Sequence, residues 1–110
     1  MEISHSERAP GIVVVTLTGK VMMGTVGEAV VELVQDLLLQ GKRTIVFDLS
    51  GITSLDSTGV GQFISSFNKI TSKGGEMRMA AATGHIFHTF HVSLLDQVFP
   101  FYDTVEAAVG

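Results

Sequence analysis

The residues with the clearest potential for chemistry lie in one short stretch, Asp48 to Gly61, which is rich in serine, threonine and aspartate. A serine hydroxyl can act as a nucleophile or be phosphorylated, and a neighbouring carboxylate can cap a helix. The stretch is predicted to lead from a buried strand into a helix that begins near Ser57. Free N–H groups and the helix dipole favour negative charge at such a position. Ser57 is therefore the first candidate for a regulated residue.

Two glycines favour a functional interpretation of this helix start. Serine and aspartate alone are ordinary N-caps, and capping is the more common role for them. Gly59 and Gly61, however, each cost a helix roughly 1 kcal/mol relative to alanine. They also remove side chains beside Ser57, so we expect the backbone of another macromolecule to approach closely there.

Other chemistries have less support. Asp-Ser-Thr-Gly around Ser57 is not the Gly-x-Ser-x-Gly of a serine hydrolase, which leaves hydrolysis a remote alternative. His85, His88 and His91 recur every third residue and could share a metal, but no acidic or cysteine ligand lies nearby, which favours solvated or half-buried histidines. Asp48 is interpreted as an acceptor for N–H groups in the loop after its strand. No Gly-x-x-x-x-Gly-Lys motif occurs. We therefore expect no cofactor and no metal site.

Val21, Met22 and Met23 form a second, apolar candidate patch in a predicted loop. Such a patch can pack into the core where a helix begins, which is the more common outcome. It can also bind a protein, because methionine adapts to different partners. The candidate partner-binding residues are therefore Met22 and Met23 together with Asp56, Ser57, Thr58, Gly59 and Gly61.

Hydrophobic patterning predicts the elements that position these residues. The predicted strands are Ile3–Glu7, Ile12–Leu17, Thr44–Leu49, Met77–Ala81 and Val98–Phe101. Four helices are predicted. The first begins at a capping box formed by Thr25 and Glu28 and ends at Gly41. The second and third are Thr58–Lys73 and Ile86–Leu95, and the last begins at a capping box formed by Asp103 and Glu106. A loop is expected from Ser50 to Asp56. The predicted buried face of the second helix is Val60, Phe63, Ile64, Phe67 and Ile70, and its predicted outward face is Gln62, Ser65, Ser66, Lys69 and Ser72.

These elements predict an α/β fold in a single domain spanning residues 1–110. Strands that alternate with helices pair in parallel, and the two opening strands form an antiparallel hairpin, so the sheet should be mixed, with about four helices.

Composition narrows the function classes. The chain has 110 residues, a net charge of −4 and no cysteine, and its mean hydropathy is +0.41. Its seven basic residues are scattered, which argues against binding nucleic acid. No apolar run approaches the ~20 residues that span a bilayer, and the amino terminus does not resemble a signal peptide. We expect a cytoplasmic protein that binds neither nucleic acid nor membrane.

The same stretch resembles a family signature. Asp48-Leu49-Ser50 followed by Asp56-Ser57-Thr58-Gly59-Val60-Gly61 is similar to the motif of the STAS domain of anti-sigma factor antagonists. Weaker similarities extend over nearly the whole chain, at Leu17-Thr18-Gly19, at Val98-Phe99-Pro100 and at Val105-Glu106-Ala107-Ala108.

The resemblance implies a partner-switching function. In that family an anti-sigma factor that is a serine kinase phosphorylates the motif serine, here Ser57, within a frame formed by Asp56, Thr58 and Gly59. The unphosphorylated antagonist binds the kinase and releases the sigma factor, and a phosphoserine phosphatase restores it. The chain departs from the family just after the second strand, where an acidic residue often stands and this chain has Gly19-Lys20-Val21-Met22-Met23. This departure leaves open an alternative role as a scaffold in a larger stress-signalling complex.

Overall fold

The computed structural model describes all 110 residues as a five-stranded sheet flanked by helices. The strands are β1 Glu2–Ala9, β2 Ile12–Val21, β3 Thr44–Leu55, β4 Glu76–Ala80 and β5 Phe101–Tyr102. The helices are α1 Ala29–Leu39, α2 Ser57–Ser72, α3 Gly84–Val92 and α4 Val105–Val109, with a 3-10 turn at Leu95–Gln97.

The strand order is β1-β2-β3-β4-β5. β1 pairs antiparallel with β2, and the other three pairings are parallel. The predicted α/β fold with a mixed sheet and four helices is confirmed.

Three helices cover one face of the sheet and a single short helix covers the other. The main core joins alternate residues of β2, β3 and β4 to the apolar stripes of α1, α2 and α3; its largest buried members are Phe47, Phe63, Phe90 and Phe99. On the opposite face, α4 seats Ala108 over Val14, Val46 and Ala80. The helices that carry the candidate site therefore lie on the face of the sheet that three helices cover.

The predicted loop from Ser50 to Asp56 is wrong, because β3 continues to Leu55. The carboxyl end of β2 also continues, to Val21, and pairs with this extension through two register shifts, so that Val21 lies opposite Leu55. Register shifts of this kind absorb an extra residue in one strand and leave little trace in a hydrophobic pattern.

Both predicted capping boxes are wrong. The Thr25 hydroxyl donates to the carbonyl of Lys20 and accepts from Met22 N–H, while Glu28 makes no side-chain cap. Gly27 has a φ of +51°, outside the right-handed helical region, so α1 begins only after it. At α4 the cap is Thr104, whose hydroxyl accepts from Ala107 N–H at 3.0 Å.

The third helix and the last strand differ from their predicted ranges. Leu94 adopts a φ of +60°, which is incompatible with continuing α3, and the 3-10 turn follows directly. β5 then begins at Phe101, beyond the proline that was expected within it.

The buried face of α2 is rotated from the predicted one. Gln62 and Ser66, expected to face outward, are buried, and Ile64, expected in the core, is exposed. Gln62 and Ser66 continue along the helix into Lys69 and Lys73, which line a groove shared with α1. Packing of α2 against elements distant in sequence, α1 among them, sets which of its residues are buried.

Candidate functional site

Asp56 organises the start of α2. It is the N-cap residue in an extended conformation, and its Oδ1 accepts from Gly59 N–H at 2.9 Å. Its Oδ2 accepts from Met23 N–H at 3.0 Å, across 33 residues of sequence. One carboxylate thus holds the helix start and the loop after β2 together.

These hydrogen bonds stabilise the charged form of Asp56. The N–H of Gly59, and next that of Met23, lower the pKa of the Asp56 carboxyl below its ordinary value. The site therefore carries a fixed negative charge immediately before Ser57 at neutral pH.

Ser57 and Thr58 form the exposed first turn of α2. Neither hydroxyl takes part in a cap, because Asp56 performs that role. Since the structural task is already fulfilled by its neighbour, the Ser57 hydroxyl remains accessible for modification or contact.

The two glycines of the motif lie in different surroundings. Gly59 is buried, and a Cβ there would overlap the carbonyl oxygen of Val21 and lie 2.7 Å from Leu55 Cδ1. The expectation that its missing side chain opens the surface is therefore wrong; it allows α2 to sit close to the end of β2. Gly61 has nothing within 4 Å of its Cβ position, so it does present bare backbone beside Ser57.

The methionine loop lies next to this helix start. Met23 is 77% exposed, whereas Met22 is half-buried and Val21 fully buried. Packing therefore accounts for Val21 and part of Met22, while Met23 is presented to solvent, with its backbone tied to Asp56.

A groove of about 460 Å³ runs from the start of α2 to the end of α3. It contains Asp56, Ser57 and Gly61, and its apolar lining includes Ile64, Val92 and Leu95. Ile64 and Val92 are unusually exposed for their type, at 40% and 61%. A hydroxyl beside an open apolar groove suits contact with a protein surface. The α3 side of this site was not predicted, because no local sequence pattern reports which helix packs beside Ser57.

The three histidines of α3 do not converge. His85 contacts the Thr53 carbonyl oxygen through Nε2 at 2.9 Å, and His91 Nδ1 pairs with Asp96 Oδ2 at 2.8 Å. His88 lines the groove that contains Ser57. No group of three or more histidine, cysteine, aspartate or glutamate side chains is placed to hold a metal ion.

Asp48 has the local role predicted for it, although within a strand. Its Oδ1 accepts from the Ser50 amide at 3.1 Å and from the Ser50 hydroxyl at 2.8 Å. It is separate from the Ser57 groove.

None of the helices is both long and apolar enough to cross a membrane.

Comparisons with known proteins identify a matching family and similar folds. A family model for the STAS domain matches residues 5–108. An anti-sigma F factor antagonist from Paenibacillus polymyxa is 27% identical over 105 residues, which cover 94% of this chain and 86% of that protein. The crystal structure of an anti-sigma factor antagonist from Mycobacterium paratuberculosis has a TM-score of 0.81 at 26% identity, covering 97% of this chain and 91% of that one. The phosphorylated form of the Bacillus cell fate determinant SpoIIAA shares the fold, with a TM-score of 0.73 at 19% identity and 96% of each chain covered.

Proposed function

The chain belongs to the STAS domain family, and from this premise we propose that it is an anti-sigma factor antagonist switched by phosphorylation of Ser57. Unphosphorylated, it binds an anti-sigma factor that is a serine kinase, and so frees the sigma factor. The kinase phosphorylates Ser57, and a phosphoserine phosphatase reverses the modification. The role is regulatory and is carried out in the cytoplasm.

The observation that carries the proposal is the exposed Ser57 hydroxyl at the start of α2, beside an open apolar groove. In the proposed complex the kinase covers this groove, with Ile64 and Val92 as apolar contacts and Gly61 as the point of closest backbone approach. Asp56 lies in the groove itself, Thr58 follows Ser57 in the exposed first turn of α2, and Met23 is joined to Asp56 through its N–H. Buried apolar contacts surrounded by a polar rim are typical of protein interfaces.

Electrostatics explain how one phosphate can switch this interface. Phosphoserine adds about −1.5 to −2 charges at neutral pH, next to an Asp56 carboxylate whose lowered pKa keeps it ionised. Burying like charges together costs several kcal/mol, and about 4 kcal/mol corresponds to nearly a thousandfold in affinity. The free protein tolerates the phosphate, because a helix N-terminus favours negative charge.

The direct test is phosphorylation by the cognate kinase and ATP, with the modified site mapped by mass spectrometry. Ser57→Ala should abolish the modification, and the matched variant Thr58→Ala should keep it. Undiminished phosphorylation of Ser57→Ala would contradict the proposal.

Binding separates the switch from its alternatives. Calorimetry against the kinase should show strong binding for the unphosphorylated protein and at least a hundredfold loss for the phosphoprotein, with a smaller loss for Ser57→Asp. Partner binding that is indifferent to phosphorylation would favour the scaffold role that the missing acidic residue near Met22 leaves open.

A serine hydrolase remains the distant alternative, because Ser57 and His88 line one groove. No hydrogen bond joins these two side chains, and the α3 histidines that do make side-chain hydrogen bonds are His85 and His91, with Thr53 and Asp96. Ester hydrolysis by the purified protein that disappears in both Ser57→Ala and His88→Ala would support that alternative.

A further inference from the structure

A second groove, of about 430 Å³, lies between the carboxyl-terminal halves of α1 and α2. We call it the basic groove; its lining includes Gln35, Leu38, Leu39, Arg43, Lys69 and Lys73. Ser57 and Lys73 are about 24 Å apart along α2, so the basic groove is remote from the phosphorylation site. Its volume is within the range of small-molecule sites, about 300–1,000 Å³.

The charge of this groove is opposite to that of the protein. The chain has a net charge of −4 and seven basic residues, yet three of these line the basic groove and no acidic residue does. The ion pairs of the structure join Lys42 to Glu7, Arg78 to Glu76 and His91 to Asp96. Arg43, Lys69 and Lys73 therefore lack a carboxylate partner.

Arg43 is held in place for this arrangement. Its Nη1 donates to the carbonyl oxygens of Leu38 at 3.1 Å and Lys42 at 2.8 Å. These bonds use one nitrogen of the guanidinium and leave the others without a partner in the chain. A fixed guanidinium is well suited to bind phosphate, because its N–H groups match the oxygens of that anion.

A purely structural role accounts for part of the cluster. Lysines near a helix carboxyl end interact favourably with the helix dipole. However, Lys69 and Lys73 are four residues apart and repel each other, and Arg43 comes from a different segment. The groove also has an apolar side, since Leu38 lines it and Leu39 is 85% exposed. Capping of α1 also accounts for one Arg43 nitrogen, through its bond to the Leu38 carbonyl in the last turn of that helix, but it explains neither the other guanidinium nitrogens nor the exposed leucine.

We propose that the basic groove binds a small organic phosphate, with the phosphate held by Arg43, Lys69 and Lys73 and the apolar body against Leu38 and Leu39. The site is independent of Ser57, so it gives the protein an input separate from phosphorylation.

The test is a titration of the isotope-labelled protein with phenyl phosphate at low ionic strength, followed by amide chemical shifts. Saturable shifts should concentrate at residues 35–43 and 69–73. Inorganic phosphate should bind at the same residues several-fold more weakly, and phenol should not bind there. Leu39→Ala should remove the preference for phenyl phosphate over inorganic phosphate.

Charge-matched variants decide the specificity. The double variant Lys69→Gln/Lys73→Gln should weaken phenyl phosphate binding at least tenfold. The control Arg8→Gln/Lys20→Gln changes net charge equally outside the groove and should retain wild-type affinity, as should Ser57→Ala.

Equal weakening in both double variants, or shifts spread over all basic residues, would overturn the proposal. Binding of a hexaglutamate peptide in the groove without binding of phenyl phosphate would overturn it in favour of a protein ligand. Because Ser57→Ala retains the groove, none of these outcomes depends on the phosphorylation switch.

Discussion

Gly59 and Gly61 lie two residues apart in α2, and replacing each by alanine should have opposite effects on stability. At Gly59 the new Cβ would overlap the Val21 carbonyl oxygen and lie 2.7 Å from Leu55 Cδ1. Overpacking typically costs about 1–3 kcal/mol, and a backbone oxygen cannot rotate away, so we take the upper value. Alanine returns about 1 kcal/mol of helix propensity. Gly59→Ala should therefore lower the free energy of unfolding by about 2 kcal/mol.

Gly61→Ala is the matched control, because its Cβ meets nothing within 4 Å. It should keep the propensity gain and raise the free energy of unfolding by up to about 1 kcal/mol. The two variants should then differ by about 3 kcal/mol, which for a domain of this size corresponds to a difference in Tm of about 10 °C or more.

Denaturant and thermal unfolding followed by circular dichroism measure both values. If Gly59→Ala is as stable as Gly61→Ala, α2 does not press against the end of β2 as described. Equal destabilisation of both variants would mean that the cost arises in the helix itself and not in the contact with Val21.

Three further variants test the site and the core. The folded-state pKa of Asp56 is lowered, so its carboxylate stabilises the fold above the unfolded pKa of about 4, and this contribution is lost as pH falls through the lower folded pKa. The stability difference between wild type and Asp56→Asn in urea unfolding should thus shrink below about pH 4; a constant difference would refute the assignment. Ser66 Oγ is buried without a hydrogen-bond partner, so Ser66→Ala should leave the free energy of unfolding unchanged or raise it by up to about 1 kcal/mol. A clear decrease in that free energy would mean that the Ser66 hydroxyl makes a stabilising hydrogen bond. Ser57→Asp should shift that free energy by no more than about 1 kcal/mol in thermal melts, because a helix N-terminus accepts negative charge; unfolding of this variant would mean that Ser57 is structural.

The fold class and the position of Ser57 could be predicted from sequence because both depend on local signals. β-branched runs, helical stripes and an Asp-Ser-Thr-Gly helix start are each readable within a few residues. Asp56, predicted to contact the partner as part of the frame around Ser57, is also the N-cap of α2, a role that aspartate commonly has.

What sequence could not predict depends on contacts between distant segments. The extension of β3 to Leu55 requires the second half of β2 as its partner. The burial of Gln62 and Ser66 requires the elements that pack against α2, and the need for glycine at position 59 arises from the carbonyl of Val21. None of these neighbours is visible in the local pattern of the residue it controls.

The strand order influences what kind of ligand can bind at the carboxyl ends of the strands, where Ser57 lies. From β2 to β5 the chain adds each strand beside the previous one, and the three connecting helices lie on one face. The sheet is therefore wound in a single direction. In a doubly wound sheet the strand order reverses at one point. The two connections that meet there lie on opposite faces of the sheet, and the crevice between them is where small ligands bind. Here successive connections stay side by side, so the carboxyl ends of the strands lead to a continuous row of helix starts. Such a row matches the surface of another protein better than it encloses a small substrate.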